Sequence, residues 1–347
     1  METAKICYPS PLLKIYPTHV MKFTFICSLL LLLSGSIAAH AKDLRLGMVG
    51  LDTGHVIAFT KILHDKKAKD HIPGARVVGA VKTGSPDIPS SWSKVDEYTN
   101  QLRTEFGVTI YDSIEELAKH VDAILIESVD GRPHLAQARA AILAGKPVYI
   151  EKPLGATVKD GLEIFALAKK HKVPVFSSSA LRFGQDTLAV RNGKIGKVLK
   201  AETNSPAKLE PQHMDLFWYG VHGVESLFTV MGTGIESVTR KDSTPDAKVV
   251  EGTWRGGRTG VFRETKSGYG GKAVGEKGES AVGKYEGYAP LVAAIIKFFQ
   301  TGISPVPEQE SIEILAFMEA DFLSKERGGQ TVTIAEVMTR AGAKASR

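Results

Sequence analysis

The chain has 347 residues, of which 43% are hydrophobic and 24% charged, and its formal net charge is +6. This length favours two domains, and the composition is typical of a folded globular protein rather than a disordered one. The positive charge is mild and forms no run of Lys and Arg with interleaved aromatic residues, so nucleic acid is not an expected partner.

The first 41 residues have the pattern of a secretory signal peptide. Lys22 precedes an apolar run over residues 23–33, and the small residues Ala39 and Ala41 follow it. The run is short for a membrane span, and the pattern predicts cleavage after Ala41. We therefore expect the mature chain to begin near Lys42, to be periplasmic or secreted, and to have no membrane anchor.

From residue 44 to residue 177, strand patterns alternate with helix patterns. The predicted strands cover residues 44–50, 75–81, 108–111, 121–127, 148–151 and 173–177. The predicted helices begin near Gly54 and at a capping box opened by Ser113, and cover residues 91–106, 134–143 and 161–170. This alternation predicts a Rossmann-like, doubly wound parallel sheet with right-handed crossovers, assigned here to residues 42–178.

The pattern changes after residue 178. Residues 249–254 and 259–263 form a predicted hairpin around two glycines, and strand-like segments dominate residues 195–285. Helices are predicted over residues 221–230, 290–301 and 308–324, the later ones packing on the sheet or returning to the first domain. Residues 179–340 are thus expected to form a mostly antiparallel sheet domain flanked by helices, followed by a frayed tail over residues 341–347.

A charged corner, Glu151-Lys152-Pro153, ends one of the predicted parallel strands. Ligands of open parallel sheets bind beyond the carboxyl ends of the strands, so this corner directs Lys152 at the expected crevice. A lysine can exchange protons with a substrate when burial and neighbours tune its pKa. The alternative is a structural salt bridge between Lys152 and Glu151.

The order of several motifs resembles that of the Gfo/Idh/MocA oxidoreductases. These motifs are the loop 128–134, Ala144-Gly145-Lys146, Glu151-Lys152-Pro153, Tyr219-Gly220-Val221-His222 and Ile303-Ser304-Pro305-Val306. The resemblance covers essentially the whole mature chain. It implies a nicotinamide cofactor on the first domain, a sugar, polyol or related alcohol between the domains, and a homo-oligomer.

The resemblance also implies the catalytic residues. A hydride leaves a carbinol carbon only if the hydroxyl proton goes to a base, and by position Lys152 and His222 handle that proton. The family's aspartate four residues before the histidine is replaced here by Trp218, whose flat face suits a sugar ring. The residues assigned to the substrate are Arg182, Trp218, Tyr219 and Glu225.

The cofactor contacts are assigned from the same comparison. The first turn, residues 50–55, keeps only the first of the three fingerprint glycines, and Asp52 and His55 occupy the other two places. Asp52 or Thr53 could instead cap the helix that follows. The residues assigned to the cofactor are Gly50, Asp52, Thr53, Gly54, His55, Lys82, Ser128, His134 and Glu151. Lys82, where an acidic residue would hold the ribose, slightly favours NADP over NAD.

Two other functions stay open at this point. One is an enzyme that cleaves or epimerises glycosides, either by recycling a retained cofactor or with the help of a metal. The spacing does not require a metal, and none is assigned, but His222, Glu225 and His213 could bind zinc or manganese together with His55 or His134. The other is a non-catalytic carbohydrate-binding protein on the same scaffold.

Overall fold

The structure is a computed structural model that describes residues 42–242 and 247–343. The predicted signal peptide and residues 344–347 of the predicted tail lie outside the described residues. Among the helices of the described ranges, none combines the length and the apolar character that a membrane span requires.

The first sheet has six parallel strands and confirms the predicted doubly wound architecture. Its strands are β1 (Leu44–Val49), β2 (Ala75–Val81), β3 (Thr109–Tyr111), β4 (Ala123–Ile126), β5 (Val148–Ile150) and β6 (Val175–Ser177). Their order in the sheet is β3-β2-β1-β4-β5-β6. The chain reverses its winding direction between β1 and β4, and the crevice of such a sheet lies at this switch point, beyond the carboxyl ends of the strands.

Helices cover both faces of this sheet. They are α1 (Gly54–His64), α2 (Pro89–Phe106), α3 (Ile114–Ala118), α4 (His134–Leu143) and α5 (Val158–His171). Half of the predicted capping box is present, since the Ser113 hydroxyl accepts a hydrogen bond from the backbone N–H of Glu116 at 3.1 Å, whereas the Glu116 carboxylate pairs with Lys119 and His120. Gly107 ends α2 in the left-handed conformation, with φ of 67°, as expected for glycine at that place.

The second sheet has seven strands and is mostly antiparallel, as predicted. Its strands are β7 (Val198–Ser205), β8 (Ile235–Arg240), β9 (Val249–Trp254), β10 (Arg258–Glu264), β11 (Gly270–Gly275), β12 (Gly278–Ala281) and β13 (Val332–Thr333). The order is β12-β11-β7-β10-β9-β8-β13, with one parallel pair, β7 and β10. The predicted hairpin is β9–β10, where Arg258 pairs with Trp254.

Helices cover one face of the second sheet and bridge to the first. They are a 3-10 helix (Ala180–Phe183), α6 (Gln185–Arg191), α7 (Asp215–Trp218), α8 (Val221–Met231), α9 (Ala289–Thr301), α10 (Glu308–Glu326) and α11 (Ile334–Arg340). In the core under α8 and α10, Phe228 packs on Trp254 and Phe317. Helix α9 returns to the first domain, where Phe298 contacts Phe176 of β6. This shared packing fixes the two sheets around one crevice.

His64 at the end of α1 makes the fold sensitive to acid. Its Nε2 accepts a hydrogen bond from the backbone N–H of Val77 at 3.1 Å. Burial and the charge of Arg76 lower the pKa of His64 to about 4, against about 6.5 in an unfolded chain. Because the unfolded state binds the proton more readily, stability is lost as the pH falls from about 6.5 to about 4.

We expect a His64→Gln variant, which keeps an acceptor for Val77 but cannot be protonated, to lose less stability across this pH range. The difference should be about 1–2 kcal/mol, allowing for the partial solvent exposure of the ring. Urea unfolding at a series of pH values measures it. Parallel pH profiles of the two proteins would contradict this role.

Candidate active site

A cleft of about 640 Å³ lies beyond the carboxyl ends of β1 and β5 and faces the second domain. The first domain contributes the start of α1, the Glu151-Lys152 corner and the loop after β6. The second domain contributes the start of α8 and an aromatic wall. The predicted site residues that line it are Asp52, Thr53, Gly54, His55, Glu151, Lys152, Trp218, Tyr219 and His222. The fold thus brings together most of the residues assigned from the sequence.

Lys152 is held at the floor of the cleft. It follows β5 at a corner whose Lys152–Pro153 peptide is cis. Its side chain is only 8% exposed, and its Nζ lies 3.0 Å from Oε1 of Glu151. The salt bridge weighed as an alternative is therefore present, but both residues also line the cleft. The Lys152 side chain is consequently buried yet accessible to a bound ligand.

His222 faces the same cleft from the first turn of α8. Its Nδ1 forms a hydrogen bond with the hydroxyl of Ser179 at 2.8 Å, and the edges of Tyr219 and Tyr269 contact its ring. Burial, assisted by the charge of Lys152, holds the pKa of His222 well below its ordinary value. The ring is therefore neutral and fixed in orientation, and it can exchange a proton through the nitrogen that Ser179 does not occupy.

Gly50 fits the role of the first fingerprint glycine. Its φ is 84°, and a Cβ atom there would lie 2.4 Å from the backbone nitrogen of Ser128. Any side chain would therefore push apart the ends of β1 and β4. Glycine is required here for the close approach of the two loops at the switch point.

Asp52, in the place of the second glycine, does not point its charge at a phosphate. Its carboxylate accepts hydrogen bonds from the Ser91 hydroxyl at 2.6 Å and from the backbone N–H of Val129 at 3.1 Å. Burial raises the pKa of Asp52 to about 6 despite these bonds. The carboxylate links the first turn to α2 and to the loop after β4, so the expectation that Asp52 caps α1 was wrong.

The amino terminus of α1 is open to the cleft. Thr53 is the N-cap residue, yet its buried hydroxyl has no hydrogen-bond partner in residues 42–242 and 247–343. The expectation that Thr53 caps α1 through its side chain was therefore also wrong. A Cβ atom at Gly54 would meet no atom of the described chain within 4 Å. Unpaired N–H groups and the helix dipole make such a terminus a favourable place for phosphate, so the turn fits a dinucleotide.

His55, in the place of the third glycine, joins two buried carboxylates. Its Nδ1 lies 3.0 Å from Oε2 of Glu151 and 3.7 Å from Oε2 of Glu127, and both glutamate side chains are fully buried. Burial disfavours the imidazolium, but the charges of Glu151 and Glu127 outweigh it and raise the pKa of His55 to about 9. Burial raises the pKa of Glu127 to about 7. Burial also opposes ionisation of Glu151, but the charges of His55 and Lys152 prevail and lower its pKa.

Of the remaining cofactor assignments, Ser128 lies at a second depression, of about 470 Å³, between the ends of β2 and β4. Ser128 lines it, together with Thr83, Ser85 and Arg132. Lys82 lies at the end of β2 but is 46% exposed, and its Nζ pairs with Asp96 at 2.6 Å. This depression is where the ribose of a dinucleotide lies in folds of this class.

His134 is a structural residue, and its assignment to the cofactor was wrong. The ring is fully buried, with one nitrogen 2.9 Å from the carbonyl oxygen of Pro153 and the other 2.8 Å from that of Ser128. Burial lowers the pKa of His134. The imidazole therefore ties the Glu-Lys-Pro corner to the loop after β4 and is not available to a ligand.

Arg182 and Glu225 were also assigned wrongly, because they form an ion pair behind the cleft. Nε of Arg182 lies 2.5 Å from Oε1 of Glu225, and its Nη1 lies 2.6 Å from Oε1 of Glu310. The side chains of Arg182 and Glu225 are each 4% exposed. Nε and Nη1 of Arg182 and Oε1 of Glu225 are engaged within the protein, and only the buried Nη2 of Arg182 lacks a partner among the described residues. The pair therefore positions α8, which carries His222, rather than contacts a substrate.

The alternative metal set is not assembled either. Nε2 of His213 lies 2.9 Å from Asp130, Glu225 pairs with Arg182, and His134 lies between two carbonyl groups. Among the described residues, the histidine and carboxylate atoms that do lie within 4.8 Å of one another belong to His55, Glu127 and Glu151.

The aromatic wall was only partly predicted. Trp218 and Tyr219 line the cleft as expected, and Tyr269, Tyr285 and Tyr288 join them. The hydroxyls of Tyr219 and Tyr269 are 2.8 Å apart and hydrogen-bonded. Flat apolar faces with polar rims suit a sugar or polyol ring. Tyr269 lies just before β11, whereas Tyr285 and Tyr288 lie together just before α9, and no pattern in the sequence placed these three tyrosines at the cleft.

The molecule combines a Rossmann-like, doubly wound parallel sheet with a helix-backed, mostly antiparallel sheet that closes its crevice. Residues 44–179 match the family model described as "Oxidoreductase family, NAD-binding Rossmann fold". This match, to the Gfo/Idh/MocA family model, lies in the first domain and agrees with the resemblance found in the sequence.

Curated relatives match part of the chain. A 1,5-anhydro-D-fructose reductase of Ensifer adhaerens is 32% identical over 142 residues, which are 39% of this chain and 42% of the relative. An inositol 2-dehydrogenase/D-chiro-inositol 3-dehydrogenase of Halalkalibacterium halodurans is 31% identical over 108 residues, or 31% of this chain and 29% of the relative. The chain thus spans less than half the length of these relatives.

Solved structures share the fold of both domains. A probable dehydrogenase from Thermotoga maritima superposes with a TM-score of 0.66 at 20% identity, over 85% of this chain and 100% of the other. A scyllo-inositol dehydrogenase from Lactobacillus casei, solved with bound NAD(H) and scyllo-inositol, superposes with a TM-score of 0.65 at 16% identity, over 85% of this chain and 100% of the other. At these identities the likeness establishes the fold.

Proposed function

We propose that this protein is an oxidoreductase that transfers hydride between a nicotinamide dinucleotide and a sugar, polyol or related alcohol. The observation that carries the proposal is the placement of Lys152 and His222 in one cleft with the open amino terminus of α1 and an aromatic wall. The inositol dehydrogenases and the anhydrofructose reductase among its relatives support the substrate class.

The residues of the cleft divide into two groups by what they do. Thr53, Gly54 and the first N–H groups of α1 would hold the pyrophosphate, which the engaged carboxylate of Asp52 does not repel. A bound nicotinamide supplies or accepts the hydride. Tyr219 and Trp218 orient the ring of the alcohol so that its carbinol group faces Lys152.

Lys152 and His222 move the proton. Lys152 lies next to Glu151, which keeps its Nζ at the floor of the cleft, and exchanges the proton of the reacting hydroxyl. His222, neutral and fixed by Ser179, hydrogen-bonds to the same or the neighbouring hydroxyl and relays the proton. Ser178 and the Arg182–Glu225 pair hold the helix that carries His222.

A bulky side chain at Gly54 tests the cofactor site directly. A Cβ atom there has open space around it, so Gly54→Leu should fold with a thermal midpoint close to that of wild type. The leucine would fill the space in front of the helix terminus, and we expect dinucleotide affinity to fall by at least about 100-fold, since close backbone approach is lost.

Fluorescence titration with NADH and NADPH measures this affinity. Gly107→Leu is unsuitable as a control because φ there is 67°, so Lys119→Leu, on an exposed helix end, serves instead. A Gly54→Leu protein that binds the dinucleotide as tightly as wild type would contradict the assignment of this turn to the dinucleotide site.

We propose NADP as the preferred dinucleotide. Support comes from Lys82, which lies at the end of β2 and, within the described ranges, pairs only with the exposed Asp96, an interaction worth little in water. A 2′-phosphate would compete well for this ammonium group. Lys82→Gln should therefore weaken NADPH binding about tenfold and leave NADH binding unchanged, as one lost charge-assisted bond implies. Equal affinities for both dinucleotides in wild type would contradict the preference.

We further propose that the protein is exported and forms a homo-oligomer. Export rests on the signal-peptide pattern of residues 1–41, and intact-mass analysis of the protein from the extracytoplasmic fraction should show a chain beginning near Lys42.

The homo-oligomer would form through the face of the second sheet opposite α8 and α10. Light scattering that reports a monomer would contradict it.

A further inference from the structure

The cleft contains a group of ionisable side chains of which hydride and proton transfer use only Glu151, as the partner of Lys152. His55, Glu127 and Glu151, here called the two-glutamate cluster, come from the first turn of α1 and from the carboxyl ends of β4 and β5. His55 replaces a fingerprint glycine, and Glu127 follows a fully buried strand. Three neighbouring elements of the switch point thus each direct one ionisable group to the same place.

Several buried polar atoms of the two-glutamate cluster have no hydrogen-bond partner in the described parts of the chain. Both oxygens of Glu127 are buried and lack a hydrogen-bond partner in the described parts of the chain. The same holds there for Nδ1 of His55 and Oε1 of Glu151. Nδ1 of His55 lies 3.0 Å from Oε2 of Glu151, and Oε1 of Glu151 lies 3.0 Å from Nζ of Lys152, but neither pair has the angles of a hydrogen bond. A buried carboxylate with no bonds is costly, so it indicates a ligand that the polypeptide does not supply.

The separations of the donor atoms suit a small metal ion. Nδ1 of His55 is 3.0 Å from Glu151 Oε2 and 3.7 Å from Glu127 Oε2. Ligands about 2.1 Å from a tetrahedral ion lie about 3.4 Å apart, and those of an octahedral ion about 3.0 Å apart. The observed distances bracket these values, so an ion could enter with side-chain adjustments of a few tenths of an ångström.

We propose that the two-glutamate cluster is a binding site for one divalent cation, zinc or manganese. One imidazole nitrogen with two carboxylate oxygens is a mixed ligand set that these ions accept, whereas calcium and magnesium prefer oxygen alone. A proton on Nδ1 of His55 is the competing occupant, and a bound metal displaces it.

The cation would have open coordination positions toward the cleft. His55 and Glu151 both line the cleft, while Glu127 lies behind them, so the side away from Glu127 faces the bound molecule. Those positions suit water or a pair of adjacent hydroxyl oxygens on a polyol. Lys152, 3.0 Å from Glu151, lies next to the ion and limits how negative the site becomes.

Binding of manganese to the metal-free protein tests the proposal without any dinucleotide or substrate. The chain is treated with a chelator, dialysed and titrated with Mn²⁺, and the loss of the free-ion electron paramagnetic resonance signal gives the affinity. We expect one ion per chain, and at least about 100-fold weaker binding in Glu127→Gln and in His55→Gln. Asp52→Asn, which removes a buried carboxylate outside the cluster, should bind as wild type does.

Pulsed electron paramagnetic resonance gives a second readout, because a coordinated imidazole couples its nitrogen to the manganese spin. Coupling in wild type and in Asp52→Asn, but not in His55→Gln, is the expected result. No stoichiometric binding, or binding that Glu127→Gln leaves intact, would overturn the proposal. A protein that binds Mn²⁺ but never a dinucleotide would keep this site and contradict the oxidoreductase function instead.

Discussion

Lys152→Met is expected to reduce kcat by about 10³-fold while leaving the affinity for the dinucleotide within a few-fold of wild type. General acid–base groups contribute about 10²–10⁴-fold, and a methionine of similar length fills the same space but cannot exchange a proton. The loss falls on kcat because the lysine acts on the reacting hydroxyl rather than on the pyrophosphate at the start of α1.

This result is informative only if the Lys152→Met variant keeps the fold and a positive partner for the Glu151 carboxylate. In the variant, His55 still lies 3.0 Å from Glu151 and provides its counter-charge. The matched control is Lys146→Met, since Lys146 stands in the same motif but donates to the carbonyl of Val121 away from the cleft. Steady-state kinetics and thermal unfolding of both variants complete the comparison. A Lys152→Met enzyme that retains most of its turnover would remove the lysine from the chemistry.

Arg182→Met is expected to destabilise the fold by about 3–5 kcal/mol. Removing one partner of a buried ion pair leaves the other charge without compensation. Glu225, which accepts from Arg182 at 2.5 Å and from Ser178 at 2.9 Å, would lose its cation. Glu310 would keep only Arg191, at 2.8 Å. Burial already raises the pKa of Glu225 against the charge of Arg182, so the unpaired group would take up a proton rather than remain ionised.

The double variant Arg182→Met/Glu225→Gln distinguishes an unpaired charge from lost packing. If the cost arises from the charge, the double variant should recover a large part of the stability, because the uncompensated carboxylate is gone. Urea unfolding of the three proteins at neutral pH measures the differences. A loss below about 1 kcal/mol in Arg182→Met would show that the ion pair contributes little to the fold.

Most of the first domain could be predicted because its signals are local. Each buried parallel strand is a short apolar run bounded by turn residues, and the ends of the six predicted strands lie within two residues of the observed ones. The second domain was harder. Short glycine-rich strands such as β11 and β12 have little periodicity, since their pairing depends on partners far along the chain.

The candidate site was predictable where a residue's place in the topology determines its role. Lys152 follows a parallel strand and His222 opens a helix, and both reach the cleft. Arg182 was misassigned because its partner Glu310 lies 128 residues away, so its burial has no local signal. Glu127 was placed within a strand and given no role. Its significance depends on His55 and Glu151, which the sheet alone brings near it.

The proposed function requires this cleft to move a hydride between an alcohol carbon and a nicotinamide. The direct test is isotope transfer, in which the purified protein is incubated with an inositol deuterated at its carbinol carbons and with NADP⁺. Mass spectrometry then follows the label. Deuterium in the reduced dinucleotide, and its absence with Lys152→Met, is the predicted result. A consumed polyol whose label never reaches the dinucleotide, or reaches only the solvent, would contradict the account.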